Sequence, residues 1–503
     1  MKRYVMGVDH GGTNVKAVLF DMDGRAVASA KRSIPMQTPR PGFTERDMEE
    51  LWRMNCEVIR ETVETSGADP ADIAGVSFSG HGKGLYLWGK DDRPVRPGIV
   101  STDSRAYEVV ERWYRDGVAQ RVYPRICQSL LASQPAALLR WLDENEPGTL
   151  EKIRYVFDVK DYIRYRMTGE ARSEITDVSG SGLLNLPEAR FDVELLKEYG
   201  LESIADKLPP LIGSMEACGQ VTESCARETG LVPGTVVTGG LFDIDACAIG
   251  MDICDNSRIA VIAGTWAINE YITRTPVTDG SVKMNSLYCL PGYYLAEECS
   301  PTSASNYDWM LKTFMEEAAA AKGEDLYAWG NAMAGSAGPD SESIIFLPYL
   351  YGGTDDPRTK SAFVGLEAWH NRAQVLRAVC EGVVFGHKRQ VERLQKSRPV
   401  PAEAVRLAGG VVHSDLWVQM FADILGLPVE TIDVDELGAL GAAMTAAVAC
   451  GAYPSLEEAA RAMVKVNRVC LPNPALRDVY AAKYEKYLRV ERTLSQLHRE
   501  LEG

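Results

Sequence analysis

Four short segments of this 503-residue chain combine glycines with side chains that bind phosphate or accept protons. The first joins the carboxylate of Asp9 to a turn at Gly12, and Thr13, Asn14 and Lys16 follow it. Glycines let backbone N–H groups approach a phosphate closely, and the polar side chains add further donors. A carboxylate at a strand end can hold hydrated Mg²⁺. The segment predicts a phosphate site with a metal at Asp9, and an ordinary hairpin turn is the alternative.

Two further segments indicate nucleotide binding. Gly264 and Thr265 form a second glycine–threonine turn about half a chain later, and two such turns can clamp one triphosphate. Gly409 and Gly410 end an apolar run and precede Ser414, so a flat adenine can lie against that backbone. The alternative there is a routine strand-to-helix turn in which Ser414 is the cap.

The remaining segment, residues 236–245, places a carboxylate after an apolar strand and two glycines. Asp243 in that position can enter an open ligand site and take a proton from a substrate hydroxyl. A solvated loop aspartate or a helix N-cap is the alternative interpretation. Asp245 is the competing candidate base; it shares a face with Asp243 if the strand continues, but points elsewhere if a helix starts here.

Several common catalytic motifs are missing from the sequence. It contains no P-loop, because Gly82 and Lys83 are followed by Gly84 rather than by serine or threonine. It contains no dinucleotide fingerprint, no G-x-S-x-G elbow and no H-E-x-x-H helix.

The elements that carry these segments alternate between strands and helices. Apolar patterning predicts strands at 4–9, 15–20, 73–78, 258–263, 267–272 and 293–297, and helices at 45–64 and, as a buried run, 437–452. The strand–turn–strand opening occurs twice, about half a chain apart. We therefore expect two similar α/β halves that join near residue 250.

Composition narrows the class of protein. The chain is 46% hydrophobic and 25% charged, as in ordinary globular proteins, and its net charge of −16 disfavours nucleic-acid partners. Eleven cysteines, an odd number without a C-x-x-C pair, indicate reduced thiols. No signal peptide and no apolar run of ~20 residues is visible. We expect a cytoplasmic protein with no membrane partner.

The four segments, in this order and spacing, resemble the FGGY family of carbohydrate kinases over residues 3–485. The most specific stretch begins at Gly409, continues through 414–429, and ends with Glu436 and residues 439–443. The resemblance implies an α/β fold of two ribonuclease-H-like (actin-like ATPase) domains with a deep interdomain cleft. It implies a sugar-binding domain at 1–250 and a nucleotide-binding domain at 251–503.

Roles carry over from the family position by position. The resemblance implies Mg²⁺ at Asp9 and a catalytic base at Asp243. It implies ATP contacts at Gly12, Thr13, Asn14, Lys16, Gly264, Thr265, Gly409, Gly410 and Ser414. Two positions depart from the family pattern: Trp266 stands where the family often has Ser or Thr, and Ala304 stands where it usually has Gly.

The sugar site is assigned to the first half of the chain. The resemblance places substrate contacts at His81, Lys83, Asp103, Arg105 and Gln134, besides Asp243. Polar groups of both signs suit a polyol or an open-chain ketose. A surface salt bridge is the alternative for the lysine and the arginine.

Within the family, the resemblance is greatest to L-xylulose kinases, on residues 41–48, 82–85, 239–243, 264–267 and 300–303. The expected activity is transfer of the γ-phosphoryl of Mg-ATP to a hydroxyl of a pentulose, with L-xylulose first. Erythritol or another polyol, D-xylulose and ribulose remain open as substrates. A non-kinase actin-like ATPase and a sugar sensor are the alternatives from other classes, and a homodimer is left open.

Overall fold

The computed structural model describes residues 3–339, 344–356, 358–432, 434 and 436–502. The chain divides into two compact units, each made of separate chain segments. The first unit comprises Met1–Cys254, Ile272–Ala296 and Val434–Lys465, and the second comprises Asp255–Tyr271, Glu297–Asp433 and Val466–Gly503. Each unit contains a large mixed sheet with helices, so the α/β fold class is confirmed.

The sheet of the first unit carries the first glycine turn. Its strands run in the order Ala217–Gln220, Val236–Thr238, Ile73–Gly80, Tyr4–His10, Asn14–Asp21 and Ala26–Ser33, and Leu241–Phe242 also pairs with Ile73–Gly80. Tyr4–His10 is antiparallel to Asn14–Asp21 and parallel to Ile73–Gly80. The strands predicted at 4–9, 15–20 and 73–78 are thus confirmed, each extended by one or two residues.

The sheet in the second unit repeats this arrangement. Its strands run in the order Tyr294–Ser300, Ala267–Thr273, Arg258–Ala263, Ala404–Ala408, Val429–Ile432 and Val466–Cys470. Arg258–Ala263 is antiparallel to Ala267–Thr273 and parallel to Ala404–Ala408. Each unit therefore opens with a hairpin whose first strand has a parallel partner, which confirms the two similar halves.

The first helix starts later than the spacing predicts. Residues 45–64 were expected to be helical, but Glu45–Arg46 forms a short strand paired with Gly98–Ile99, and the helix is Met48–Ser66. Asp47 explains the boundary, because its carboxylate accepts the N–H groups of the second and third helical residues over 2.8 and 2.9 Å. An aspartate three residues inside the expected helix is in fact its cap.

Helices and short strands complete both units. The other helices of the first unit are Tyr107–Arg115, Val118–Ile126, Pro135–Asn145, Thr149–Lys152, Val159–Thr168, Ile175–Ser179, Val193–Tyr199, Glu223–Thr229, Asp243–Gly250, Leu437–Ala449 and Leu456–Met463. Those of the second are Ser305–Phe314, Glu316–Ala320, Leu326–Ser336, Arg372–Ser397, Asp415–Leu425 and Arg477–Glu502. The 3₁₀ turns are Pro70–Asp72, Glu202–Lys207, Gly410–His413 and Pro474–Leu476. The short strands are Tyr86–Gly89, Ile153–Phe157, Ser173–Glu174, Leu211–Ile212, Leu184–Asn185, Arg190–Phe191, Met284–Leu287, Ile345–Leu347 and Ala362–Val364.

The buried helix predicted at 437–452 is confirmed as Leu437–Ala449, which packs against Tyr4–His10 and Ile73–Gly80. Its small residues allow close approach: a Cβ on Gly7 would lie 1.8 Å from the carbonyl oxygen of Ala439. No helix in the described part of the chain is both long and apolar enough to cross a membrane. The eleven cysteines are thiols rather than disulfides, as expected.

Candidate active site

Asp9 lies near the end of Tyr4–His10, where the strand register gives it two polar neighbours. It is opposite Lys16 on the antiparallel strand and opposite Ser79 on the parallel strand. The Ser79 hydroxyl donates a hydrogen bond to Asp9 Oδ1 over 2.5 Å. Burial raises the pKa of Asp9, whereas the hydrogen bond from Ser79 and the charge of Lys16 lower it. The sheet therefore holds one oxygen of this carboxylate in a fixed position beside the first glycine turn.

The N-terminus of the helix Leu437–Ala449 packs against the same carboxylate. A Cβ on Gly438, the second residue of Leu437–Ala449, would lie 2.9 Å from Asp9 Oδ1. Lys16 forms an ion pair with Glu436, the residue before this helix. Lys16, expected to contact a nucleotide phosphate, thus has a carboxylate partner here, and its nucleotide role stays a prediction.

The turn after Asp9 is exposed but held from within the protein. Gly12 and Thr13 are both exposed. The Ile34 N–H donates to the Thr13 carbonyl over 2.9 Å, and the Asn14 amide donates to the Thr13 hydroxyl over 2.8 Å. Arg46 donates to the Gly12 carbonyl. The backbone of the turn is fixed on its inner side, while its outer side is accessible to a ligand.

Asp243 is the first residue of the helix Asp243–Gly250 and directly follows the strand Leu241–Phe242. The glycine before that strand is required by its geometry. Gly240 has a φ of 87°, and a Cβ there would lie 2.6 Å from the carbonyl oxygen of Phe78. The strand–glycine–carboxylate pattern in the sequence thus corresponds to a tight strand-to-helix transition that leaves Asp243 half-buried.

Burial and neighbouring charges give Asp243 an unusual pKa. Burial raises its pKa well above the ordinary range for aspartate, and the negative charges of Asp9 and Asp177 raise it further. The ammonium of Lys83 lowers it. Carboxylates with raised pKa values that share one site are typical of acid–base catalysis. Asp243 is therefore a carboxylate whose proton affinity is increased by its surroundings, and its role as a general base stays a prediction.

Asp245, the competing candidate base, is enclosed in the protein interior and bonded to backbone there. It is fully buried, and its Oδ1 accepts the N–H of Cys289 over 3.0 Å. Because a helix starts at Asp243, the two aspartates do not share a strand face. The geometry favours Asp243 over Asp245 as the group available to a substrate.

The loop at residues 79–84 brings a cation close to Asp243. Lys83 has a φ of 67°, and its Nζ lies 5.7 Å from the centre of the Phe242 ring. No carboxylate lies within ion-pair distance of Lys83 among the described residues, so the surface salt bridge considered for it is absent there. His81 Nε2 lies 3.2 Å from the hydroxyl of Tyr86, and burial together with the charge of Arg46 lowers the pKa of His81 to about 3. This loop therefore offers one cation and one neutral imidazole.

A fully buried lysine lies beneath the same loops. Lys160 Nζ is 3.0 Å from Asp177 Oδ2, 3.1 Å from Asp161 Oδ1 and 3.3 Å from Glu174 Oε2. Burial opposes its charge, but these carboxylates outweigh burial and raise the pKa of Lys160. Burial also raises the pKa of Asp177 to about 7, although Lys160 lowers it. The charge of Asp177 in turn affects Asp243, so this buried cluster contributes to the electrostatics of the candidate base.

The other predicted sugar contacts bind to each other or to nearby backbone. Arg105 donates to both oxygens of Asp103 over 2.9 Å and to Glu45 over 2.7 Å, and its side chain is fully buried. The salt bridge considered as its alternative role is thus present, although it is buried rather than at the surface. Gln134 is also buried and donates to Gln128 over 3.0 Å. Substrate contacts by Asp103, Arg105 and Gln134 stay predictions.

In the second unit, Thr265 is exposed like its counterpart Thr13, whereas Gly264 is half-buried. The carbonyl of Thr265 accepts a hydrogen bond from the Ser305 hydroxyl over 3.1 Å. Trp266 is 47% exposed, so it is not a core residue and is accessible at this turn. The second turn therefore also has a carbonyl held by a side chain and an open outer face.

Gly409 ends the strand Ala404–Ala408 with a φ of 97°, and a Cβ there would lie 2.4 Å from the carbonyl oxygen of Ala263. Gly410 is exposed and begins a 3₁₀ turn. Ser414 is buried at the N-cap position of the next helix, but its side chain makes no capping hydrogen bond. Ser414 therefore occupies the N-cap position, as the alternative expects, but lacks the capping hydrogen bond. Its nucleotide role stays a prediction.

Three residues around the candidate site were not singled out by the sequence analysis. Arg46 lies within a stretch cited only for its resemblance, and Lys160 and Asp177 were not considered. A signal existed for Lys160, because an adjacent Lys–Asp pair follows the apolar run 153–157 where buried residues are expected. Their partners come from segments up to 34 residues away, which spacing alone does not reveal.

Comparison with known proteins supplies an independent finding. The model of the FGGY family of carbohydrate kinases, N-terminal domain, matches residues 4–250, and the C-terminal domain model matches residues 259–450. The L-xylulose/3-keto-L-gulonate kinase of Escherichia coli (strain K12) is 37% identical over 99% of this chain and 98% of its own length. A probable L-xylulose kinase of Pasteurella multocida is 34% identical over 98% of this chain and 99% of its own.

Solved structures are similar across nearly the whole chain. The ligand-bound xylulose kinase from Lactobacillus acidophilus superposes with a TM-score of 0.90 at 26% identity, covering 99% of both chains. A gluconate kinase from the same organism gives a TM-score of 0.89 at 26% identity, also covering 99% of both chains.

Proposed function

Because the chain belongs to the FGGY family of carbohydrate kinases, it is a carbohydrate kinase, and we propose that it phosphorylates a pentulose, L-xylulose first. The γ-phosphoryl group of ATP is transferred to a hydroxyl of the open-chain sugar. The observation that carries this proposal is the setting of Asp243, a half-buried carboxylate of raised pKa beside Lys83.

In the proposed reaction, Asp243 orients the attacking hydroxyl and accepts its proton as the new P–O bond forms. The raised pKa supports this role, because a stronger base accepts a proton more readily near neutral pH. Lys83, with its ammonium near the same carboxylate, donates to sugar oxygens and keeps part of Asp243 ionised. Phosphoryl transfer depends mainly on positioning and on charge stabilisation, which these groups supply.

The residues also fit a magnesium ion carried by ATP. Asp9 offers carboxylate oxygens, which Mg²⁺ prefers, and burial raises its pKa, a shift that a bound cation would oppose. Within the described residues no cluster of three or more His, Cys, Asp or Glu side chains is placed to hold a metal alone. That suits Mg²⁺, which binds one or two carboxylates and otherwise keeps water and phosphate ligands. When bound, the ion neutralises charge on the phosphates.

We assign the nucleotide to both glycine–threonine turns and to the turn after Ala404–Ala408. Exposed Gly12, Thr13 and Thr265 are the proposed phosphate contacts. Gly409 and Gly410 are the proposed contacts of the adenine ring, because they present backbone without side chains.

The choice of L-xylulose follows the relatives at 34% and 37% identity, which match along the whole chain. A second candidate is an acidic keto sugar, favoured by the similarity to the Escherichia coli relative, which is named an L-xylulose/3-keto-L-gulonate kinase. Lys83 supports it as well, since an ammonium without a neighbouring ion pair in the described structure suits a carboxylate.

An ADP-release screen tests the proposal. The panel contains L-xylulose, D-xylulose, the ribuloses, pentitols, tetritols including erythritol, and 3-keto-hexonates. The expected result is the highest kcat/KM for L-xylulose or a 3-keto-hexonate. ADP release that is independent of sugar would instead favour a plain ATPase, and no sugar-dependent release across the panel would favour a sensor.

We further propose that the enzyme works in the cytoplasm. Its eleven thiols support this, because cysteines in oxidising compartments commonly pair.

A further inference from the structure

Arg46 is a buried arginine whose charge is not matched by a neighbouring carboxylate. Its side chain is 0% exposed, and it belongs to the short strand Glu45–Arg46. Among the described residues no carboxylate lies within ion-pair distance of it, and its Nε and Nη1 have no hydrogen-bond partner. A guanidinium stays protonated, so this burial is costly. Through Nη2, Arg46 donates a hydrogen bond to the carbonyl oxygen of Gly12, and its charge and a side-chain hydrogen bond also act on the hydroxyl of Tyr86.

The contact with Gly12 fixes the direction of a peptide in the first turn. The peptide bonds of the described chain are trans, so the Gly12 carbonyl and the Thr13 N–H point in opposite directions. By drawing the Gly12 carbonyl inward, Arg46 directs the Thr13 N–H away from the protein interior. The next peptide is also fixed, because the Ile34 N–H holds the Thr13 carbonyl over 2.9 Å.

Among the described residues, Arg46 is the hydrogen-bond donor found for the Gly12 carbonyl. Gly12 is exposed, and a Cβ there would meet no atom within 4 Å. A glycine in open space rotates at little cost, so without the arginine the peptide can reorient. The arginine itself is rigidly placed, since Arg96 and Arg105 donate to the neighbouring Glu45 over 2.5 and 2.7 Å.

We propose that Arg46 is a positioning residue for phosphoryl transfer, which holds the Gly12 carbonyl so that the Thr13 N–H and hydroxyl face the nucleotide phosphates. This inference rests on the proposed function, because it assumes that the first turn binds ATP. The buried charge adds a positive potential behind the turn, which favours an anionic ligand in front of it. Arg46 touches neither substrate in this role and acts through the backbone.

The test compares Arg46→Lys, Arg46→Gln and Arg46→Met with the matched control Arg377→Met. Arg377 is likewise buried and donates to a backbone carbonyl, that of Ala337, over 2.8 Å; it belongs to the second unit, is not a proposed contact, and also pairs with Glu381. Measurements are the KM values for ATP and sugar, kcat, calorimetric affinity for a non-hydrolysable ATP analogue, and Tm.

We expect Arg46→Met and Arg46→Gln to weaken ATP-analogue binding about tenfold or more, the scale of one charge-assisted hydrogen bond. The sugar KM should stay within about twofold, and Arg46→Lys should recover part of the ATP affinity, since an ammonium can still donate to the Gly12 carbonyl. Arg377→Met should lower Tm and leave the affinity ratio of the two substrates unchanged.

A double-mutant cycle gives a readout that a merely structural role would not move. If Arg46 orients the turn, Thr13→Val should cost less ATP affinity in the Arg46→Gln background than alone. Fully additive effects, or Arg46 variants that fold normally with unchanged ATP affinity, would overturn the proposal. A rise in KM for acidic sugars alone would also overturn it and make Arg46 a sugar contact.

The proposed function and this inference fail differently. A wild-type enzyme without sugar-dependent ADP release refutes the former. An active wild type whose Arg46→Lys and Arg46→Gln variants bind ATP normally refutes only the latter.

Discussion

Replacing the carboxylate of Asp243 by an amide should abolish most of the turnover without removing either substrate. Asp243→Asn keeps the size of the side chain but cannot accept the proton of the sugar hydroxyl. We expect kcat to fall by about 10²–10⁴-fold, the usual contribution of a general base, which equals about 2.7–5.4 kcal/mol of transition-state stabilisation. Calorimetry should show that the ATP analogue and the sugar still bind within a few-fold of wild type.

The same substitution should not destabilise the protein near neutral pH. Because the pKa of Asp243 is raised in the folded chain, the folded state binds more protons than the unfolded state between the unfolded and folded pKa values. Stability conferred by this group therefore falls as the pH rises through that window, and the ionised form is the costly one. Asp243→Asn removes that cost, so Tm at pH 7.5 should be unchanged or higher. Loss of kcat with preserved Tm separates catalysis from folding.

Asp245→Asn is the control for this assignment. It lies two residues on, is fully buried, and its Oδ1 accepts the N–H of Cys289, which an amide oxygen can still do. We expect its kcat to stay within about tenfold of wild type, less than the loss of a general base produces. Near-normal kcat in Asp243→Asn together with a large loss in Asp245→Asn would refute the assignment of the base.

Three further predictions concern the other proposed contacts. Lys83→Ala should raise the KM for the sugar about tenfold and change the KM for ATP little. It should also move the acidic limb of the kcat/KM profile to higher pH, because the charge of Lys83 lowers the pKa of Asp243. Equal losses for both substrates would indicate a folding role. Thr13→Val and Thr265→Val should each weaken ATP-analogue binding about tenfold and spare the sugar, and undisturbed nucleotide affinity in both would exclude phosphate contacts by these hydroxyls. Gly409→Ala should lower Tm, because the φ of Gly409 is 97° and a Cβ there would lie 2.4 Å from a backbone oxygen of the neighbouring strand. Gly410→Ala is the control and should leave Tm unchanged, because a Cβ there meets no atom within 4 Å. Equal Tm values for the two variants would contradict the argument.

The repeated hairpins and the buried helix were predictable because they depend on local patterns. A strand such as Tyr4–His10 is a short, largely apolar run that ends at a turn, and Leu437–Ala449 is a longer apolar run. Glycines before Asp243 and after Ala404–Ala408 marked tight transitions, which require special backbone angles at just those residues. The family could also be identified, since its motifs are short and continuous in the chain.

Contacts between distant segments could not be predicted from spacing. The expected helix at 45–64 was wrong at its start because Asp47 prefers to cap, and only the fold shows that residue 46 then reaches the carbonyl of Gly12. The surroundings of Lys160 could not be predicted from spacing either, because the carboxylates that stabilise its charge come from another segment. The sequence by itself determined the strands, the turns and the chemical types of the candidate residues. Tertiary structure alone decided which charges are buried together, because burial and Coulomb interaction depend on distances in space.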